Sequence, residues 1–316
     1  MNWTLFQIAC LVVLAFAYAL LYRDTAPAER RRLTTTILLI AVTSWAAEET
    51  SILRYSFYGY PDTWWLKLDE VPLIVVLIWP LVILTADQVI RALFPGLSRI
   101  GHAFAISLMV FIDASLVETV AVASDLWSWV EGGYLGAPLI GLIGWAAYAF
   151  SIALVLPTPI PKSPSRVTHA PDCARPSPTP SSLTARLTRR LDHLAAILHS
   201  PSPWLAYLVT CALSLAVTHA LLVLTWWAFF RHALRDELPH YAAWIALAVS
   251  ISISVIMVRR PHRIPLATAI PRAAATSVFV VLLAVYADGP PLYVHFAAIA
   301  LPYLALISWR PNRALA

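Results

Sequence analysis

Residues 103–123 read AFAISLMVFIDASLVETVAVA, an apolar run carrying two acids, Asp113 and Glu118, and no base. As a helix it is about 30 Å long, the thickness of a bilayer's hydrocarbon core. An ionisable side chain at that depth is expensive to keep, so each acid is a functional candidate. Runs of the same character lie on both sides, at roughly 3–22, 33–47, 71–90, 134–156, 204–230, 241–258, 273–287 and 291–309. Over 316 residues the composition is 60% hydrophobic and 12% charged, with 13 Trp. Soluble domains average about 45–50% apolar and about 25% charged. So few charges cannot solvate that much apolar surface, which excludes a disordered chain and a soluble enzyme on a single anchor. The chain reads as an all-α, polytopic transmembrane helical bundle of nine spans. Eight is the alternative, because only a short Asp288-Gly289-Pro290 turn separates the last two runs. The first run reads as a retained helix rather than a cleaved leader.

Basic residues alternate with these runs. Arg23, Arg30, Arg31, Arg32, Arg91, Arg99, Lys162, Arg166, Arg175, Arg186, Arg189, Arg190, Arg259, Arg260, Arg263, Arg272, Arg310 and Arg313 fall on one side, and Arg54, Lys67, Arg231 and Arg235 on the other. The positive-inside rule then places the N-terminus outside and the C-terminus in the cytoplasm, in an inner membrane. Three regions follow: 1–156, five membrane helices carrying the acids; 157–203, a cytoplasmic Pro-rich linker ending in a basic amphipathic helix; and 204–316, four membrane helices. No internal repeat is evident.

Several chemistries are missing. Nine scattered histidines lack the short helical spacings of a di-iron site, and three cysteines lack metal-ligand or disulfide spacing. With nine glycines and no Gly-rich phosphate loop, no nucleotide cofactor is expected. Asp-rich magnesium-diphosphate motifs are absent too. The net charge of +5 belongs to the cytoplasmic face rather than to nucleic-acid binding. The expectation is chemistry by carboxyl groups, without metal or cofactor.

The topology gathers those carboxyls at one level. Glu48 and Glu49 end the second run, Asp69 and Glu70 open the third, and Glu118 lies near the outer end of the fourth with Asp113 deeper. Glu118 is the leading candidate. Of the pair, Glu49 is preferred as the inward residue; Asp69 is equally well read as a helix-capping acid. Aromatics concentrate at the same level, among them Trp64, Trp127, Trp129 and Tyr134. They suit either an interfacial belt or a site that handles a carbocation.

Two stretches carry a resemblance. The first runs from Glu48-Glu49-Thr50 to Trp64 and on through Val71-Pro72-Leu73-Ile74 to Trp79-Pro80. The second is Glu118-Thr119-Val120-Ala121-Val122, Leu126-Trp127-Ser128-Trp129, Gly132-Gly133-Tyr134-Leu135-Gly136-Ala137-Pro138 and Gly144-Trp145. Over roughly residues 45–150 this order resembles the carotenoid biosynthesis protein family, which includes the carotenoid 1,2-hydratases. Thr119, where that family commonly has proline, and Ile52-Leu53-Arg54, where it has glycines, mark a divergent member. The resemblance implies cofactor-free addition of water to the terminal double bond of a long isoprenoid or carotenoid that enters from lipid. Contact with other enzymes of such a pathway is implied as well. A protonated carboxyl would deliver its proton to the alkene, aromatic faces would stabilise the tertiary cation, and a carboxylate would position water. Glu118 or Glu49 would be the acid, and the other, with Asp69, the base. The alternatives are a cyclase or isomerase sharing the protonation step, and a non-enzymatic lipid-binding or transport protein.

Overall fold

The computed structural model describes residues 2–155, 203–225, scattered positions between 244 and 255, and 264–307. The Pro-rich linker and amphipathic helix expected at 157–203 lie, up to residue 202, outside those residues. The first half is four long helices and a shorter one: α1 (Trp3–Arg23), α2 (Pro27–Leu53), α3 (Leu73–Leu93), α4 (Arg99–Ala123) and α5 (Leu139–Val155). Then follow α6 (Pro203–Thr225), α7 (Leu266–Tyr286) and α8 (Pro290–Ile307). Helices α1 to α4 and α7 are long and apolar enough to cross a bilayer; α5 and α6 add shorter apolar helices. The protein is an integral membrane protein with an all-α architecture.

Local chemistry sets the helix ends. The Asn2 side chain accepts the Leu5 amide at 3.2 Å, and Ser98 accepts the Gly101 amide at 3.2 Å, each capping a first turn. Pro27 opens α2 at a position where a missing N–H loses nothing. Three helix starts differ most from the hydropathy runs. The second run begins at 27 rather than 33, because Arg30, Arg31 and Arg32 continue the helix beyond the apolar core. The eighth begins at 266 rather than 273, which draws Arg272 into α7, where Asp113 neutralises it. The fifth begins at 139 rather than 134, since Tyr134 and Ala137 bridge across a turn that ends at Pro138.

Helix α4 packs along α5 and also meets α3, α7 and α8; α2 packs on α3 and α6, and α1 on α3 and α7. Among the described residues, α6, α7 and α8 thus seat directly on the first five helices. At the end away from the acids, Asp87 is buried and ties α3 to α4 through His102 at 2.6 Å, with Arg91 at 3.2 Å. In the middle, the buried Tyr148 hydroxyl donates to the Ile40 carbonyl at 2.7 Å and meets Thr43 at 2.8 Å, binding α5 to α2.

Two short ribbons close the acidic end. β2 (Lys67–Leu68) and β3 (Val71–Pro72) form a hairpin, with Asp69 at its tip. β1 (Tyr58–Gly59) follows α2, and β4 (Ser128–Trp129) follows α4; they pair antiparallel, Tyr58 opposite Trp129 and Gly59 opposite Ser128. The Val130 amide extends this ribbon by donating to the Phe57 carbonyl at 2.9 Å.

Candidate functional site

Glu48 stands five residues before the end of α2, about 7–8 Å below it. The loop that follows returns over it. Tyr58 donates its hydroxyl to Glu48 Oε2, and Tyr60 donates to the same oxygen at 3.0 Å. From the next helix, Trp79 donates its indole N–H to Oε1 at 2.9 Å. Burial and the neighbouring Glu48 carboxylate push the Tyr58 and Tyr60 phenols well above their ordinary range, so both remain donors.

Glu118 repeats this arrangement. It also stands five residues before the end of its helix and is 2% exposed. The loop after α4 brings Trp127 and Trp129 back, and their indole N–H groups donate to Glu118 Oε2 at 2.8 Å and 3.0 Å. Trp145, from the next helix, reaches the same carboxyl. Trp79 and Trp145 each lie six residues into their helices, and their rings meet 4.6 Å apart. The pairing of β1 with β4 sets Tyr58 against Trp129 at 4.7 Å and Tyr60 against Trp127 at 5.9 Å.

Two units, α2–β1–α3 and α4–β4–α5, therefore have one plan: a helix with a carboxyl near its end, a returning strand with two aromatic donors at alternate positions, and a helix with a tryptophan. Their antiparallel junction relates them as a two-fold along the bundle would. The sequence shows no such repeat because the donors changed type, phenols in one unit and indoles in the other. Spacing from the carboxyl drifted too, from 10 and 12 residues to 9 and 11.

Between the units lies a cavity of about 60 Å³, lined by Glu48, Glu118, Tyr58, Tyr60, Trp79, Trp127, Trp129 and Trp145, with Tyr148 and Thr218 deeper. It has room for at least one or two waters beside a small group, and not for the length of a polyene. Its floor depends on Gly141. A Cβ there would stand 2.6 Å from Trp129 Cη2 and closer still to Cζ2, so only glycine lets the indole lie on the first turn of α5.

The other sequence candidates fall elsewhere. Glu49, expected to point inward, turns instead toward the β2–β3 hairpin and accepts the Glu70 amide at 3.4 Å; it is Glu48, one residue and 100° away, that enters the cavity. Asp69 is exposed at the hairpin tip with φ of 55°, a left-handed turn conformation that aspartate tolerates. Asp113 lies outside the cavity, 2.9 Å from Arg272. The third span contributes Trp79 rather than a carboxyl. Trp127 and Trp129 line the cavity as expected, whereas Trp64 donates to the Leu126 carbonyl at 2.9 Å and lines a different space. Tyr134 packs edge-on against His295, whose Nε2 donates to the Ser115 carbonyl at 2.8 Å, so that histidine is a packing residue. Trp79, Trp145, Tyr58 and Tyr60 were not singled out as donors. The available signal was a tryptophan one to two turns inside a run, where interfacial belts do not place it.

No curated protein and no solved structure matches the chain. The profile of the carotenoid biosynthesis protein family matches residues 3–177, which takes in both carboxyl-bearing units and more than half of the sequence. The chain belongs to the carotenoid biosynthesis protein family.

Proposed function

We propose that the protein adds water across the terminal double bond of a long acyclic isoprenoid, as a carotenoid 1,2-hydratase does, with Glu118 as proton donor and Glu48 as base. The observation that carries this is the pair of buried carboxyls facing one water-sized, aromatic-walled cavity. Glu48 meets donors on both oxygens, three in all, which complements an anion. Glu118 gives its proton to the alkene carbon that bears hydrogen, and the π electrons form that C–H bond. The tertiary cation left at the dimethyl carbon faces Trp127, Trp129 and Trp145. A water held by Glu48 attacks the cation and loses a proton to the carboxylate. The product is a tertiary alcohol; the proton then passes from Glu48 back to Glu118, so no cofactor is consumed.

The cavity sits at the end of the bundle that the basic residues assign to the outer face of an inner membrane, and the bias holds with Arg272 withdrawn into α7. The N-terminus would then be outside, and residues 157–203 would divide the two membrane regions on the cytoplasmic side. The substrate would come from the bilayer and pass to other enzymes of the same pathway. Expression in cells that accumulate lycopene, with mass analysis of the pigments, is the test. A new pigment heavier by one water, or two if both ends react, is expected. Pigments of unchanged mass but new retention would replace hydration by cyclisation or isomerisation, and unchanged pigments would remove the substrate.

A further inference from the structure

A second, larger space lies beside the cavity. It is a groove of about 190 Å³ between α1, α3, α4 and α7, walled by side chains such as Phe6, Leu14, Ile78, Val117, Phe279 and Leu282. On α3 its lining runs from Ile74 to Thr85, about 16 Å of helix. Asp113 and Arg272 mark the deep end, paired through Arg272 Nη1 at 2.9 Å and 3.1 Å to the two carboxylate oxygens, while Arg272 Nη2 donates to the Val82 carbonyl. Ion pairs at that depth are rare and expensive, and here one bounds an otherwise apolar channel. Trp127 and Trp145 line both spaces. The wall between the apolar groove and the acid cavity is thus made of two of the indoles that approach Glu118.

We infer that this groove seats the terminal stretch of the isoprenoid substrate's hydrocarbon chain, with its reactive end presented to the acid cavity at the Trp127–Trp145 wall. The inference rests on the hydratase reading for the identity of the chain. Its physical basis is separate: the acid cavity cannot hold a chain, and the groove, nearly all apolar, adjoins it through shared side chains. A bilayer supplies competing acyl chains, so selectivity must come from contact along the groove rather than from burial alone.

The test is binding of lycopene to the full-length protein in lipid nanodiscs, read by the circular dichroism that an asymmetric site induces in the polyene's visible absorption. The wild type and Glu118→Gln should give a saturable signal. Ala275→Trp, from an exposed position on the groove lining, and Val117→Trp fill the groove; each should weaken binding by about tenfold or more. Melting temperatures near that of the wild type would show that both variants fold, and if Val117→Trp does not, Ala275→Trp alone decides. Equal binding by a folded, groove-filled variant would overturn the proposal, as would displacement of lycopene by excess phospholipid. Hydration and binding fail independently. Binding that the filled groove abolishes, without any hydrated product, would keep the groove and end the hydratase reading; hydration undiminished in Ala275→Trp would do the reverse.

Discussion

Glu118→Gln removes the proton proposed to start the reaction, and Glu48→Gln the group proposed to receive one. Each should lower pigment hydration by about 10²–10⁴-fold while leaving lycopene binding intact, as pigment mass analysis and induced dichroism on the same preparations would show. Loss of binding in both would make the carboxyls structural. The phenols near Glu48 carry a pH expectation. Because their titration is raised from an ordinary value of 10.0, Tyr58 and Tyr60 stay neutral below that pH. Ultraviolet difference titration of Tyr58→Phe and Tyr60→Phe should therefore show the wild-type tyrosinate rise up to pH 10, and any alkaline limb of activity should not move. A lost early step would contradict this. Glu118's place at the candidate cavity was legible in the sequence because it lies level with the other outer acids and the aromatics, whereas Asp113, deeper in the same run, is accounted for by Arg272. The choice between Glu48 and Glu49 was not: adjacent residues differ by 100° around a helix, and near a helix end either direction meets something polar.

The two carboxyls are brought together by β1 and β4, strands of two residues each, and by the fit of Trp129 on Gly141. Gly141→Ala isolates that fit. Alanine is about 1 kcal/mol better than glycine inside a helix, but displacing a packed indole costs about 1–3 kcal/mol, so the melting temperature should hold or fall slightly. The indole must move, and a misplacement of about 1 Å costs on the order of 100-fold in rate. Activity that survives with an unchanged melting temperature would mean that Trp129 plays no part. The long helices were readable as apolar runs of bilayer length, with boundary errors where charged residues continued a helix. Pairs of two-residue strands have no such signature. Their pairing joins residues 69 and 71 apart, and the alternating aromatics at 58 and 60 and at 127 and 129 look the same as an interfacial belt.

Across the whole bundle, the Asp113–Arg272 pair couples the two halves of the chain. Neutralising one partner leaves the other charged in a nearly dry setting, which in buried pairs costs about 3–5 kcal/mol. Asp113→Asn and Arg272→Gln should each lower the melting temperature in detergent, and Asp113→Leu with Arg272→Leu should recover most of it. An additive double variant would show that the two do not cooperate. This long-range pairing was hidden because Arg272 reads as a cytoplasmic loop residue until the helix is seen to start before it. The likeness of the two carboxyl-bearing hairpins reaches furthest. A chamber built from two like hairpins presents twin acids, and nothing in the shared plan makes one of them donor and the other acceptor. Any division of labour must then come from what differs between them, and the visible difference is in the returning strands, which bring two phenols to Glu48 and two indoles to Glu118. On the proposed mechanism, trading those two sets of neighbours, rather than the acids themselves, is the change expected to reverse the direction in which the proton travels.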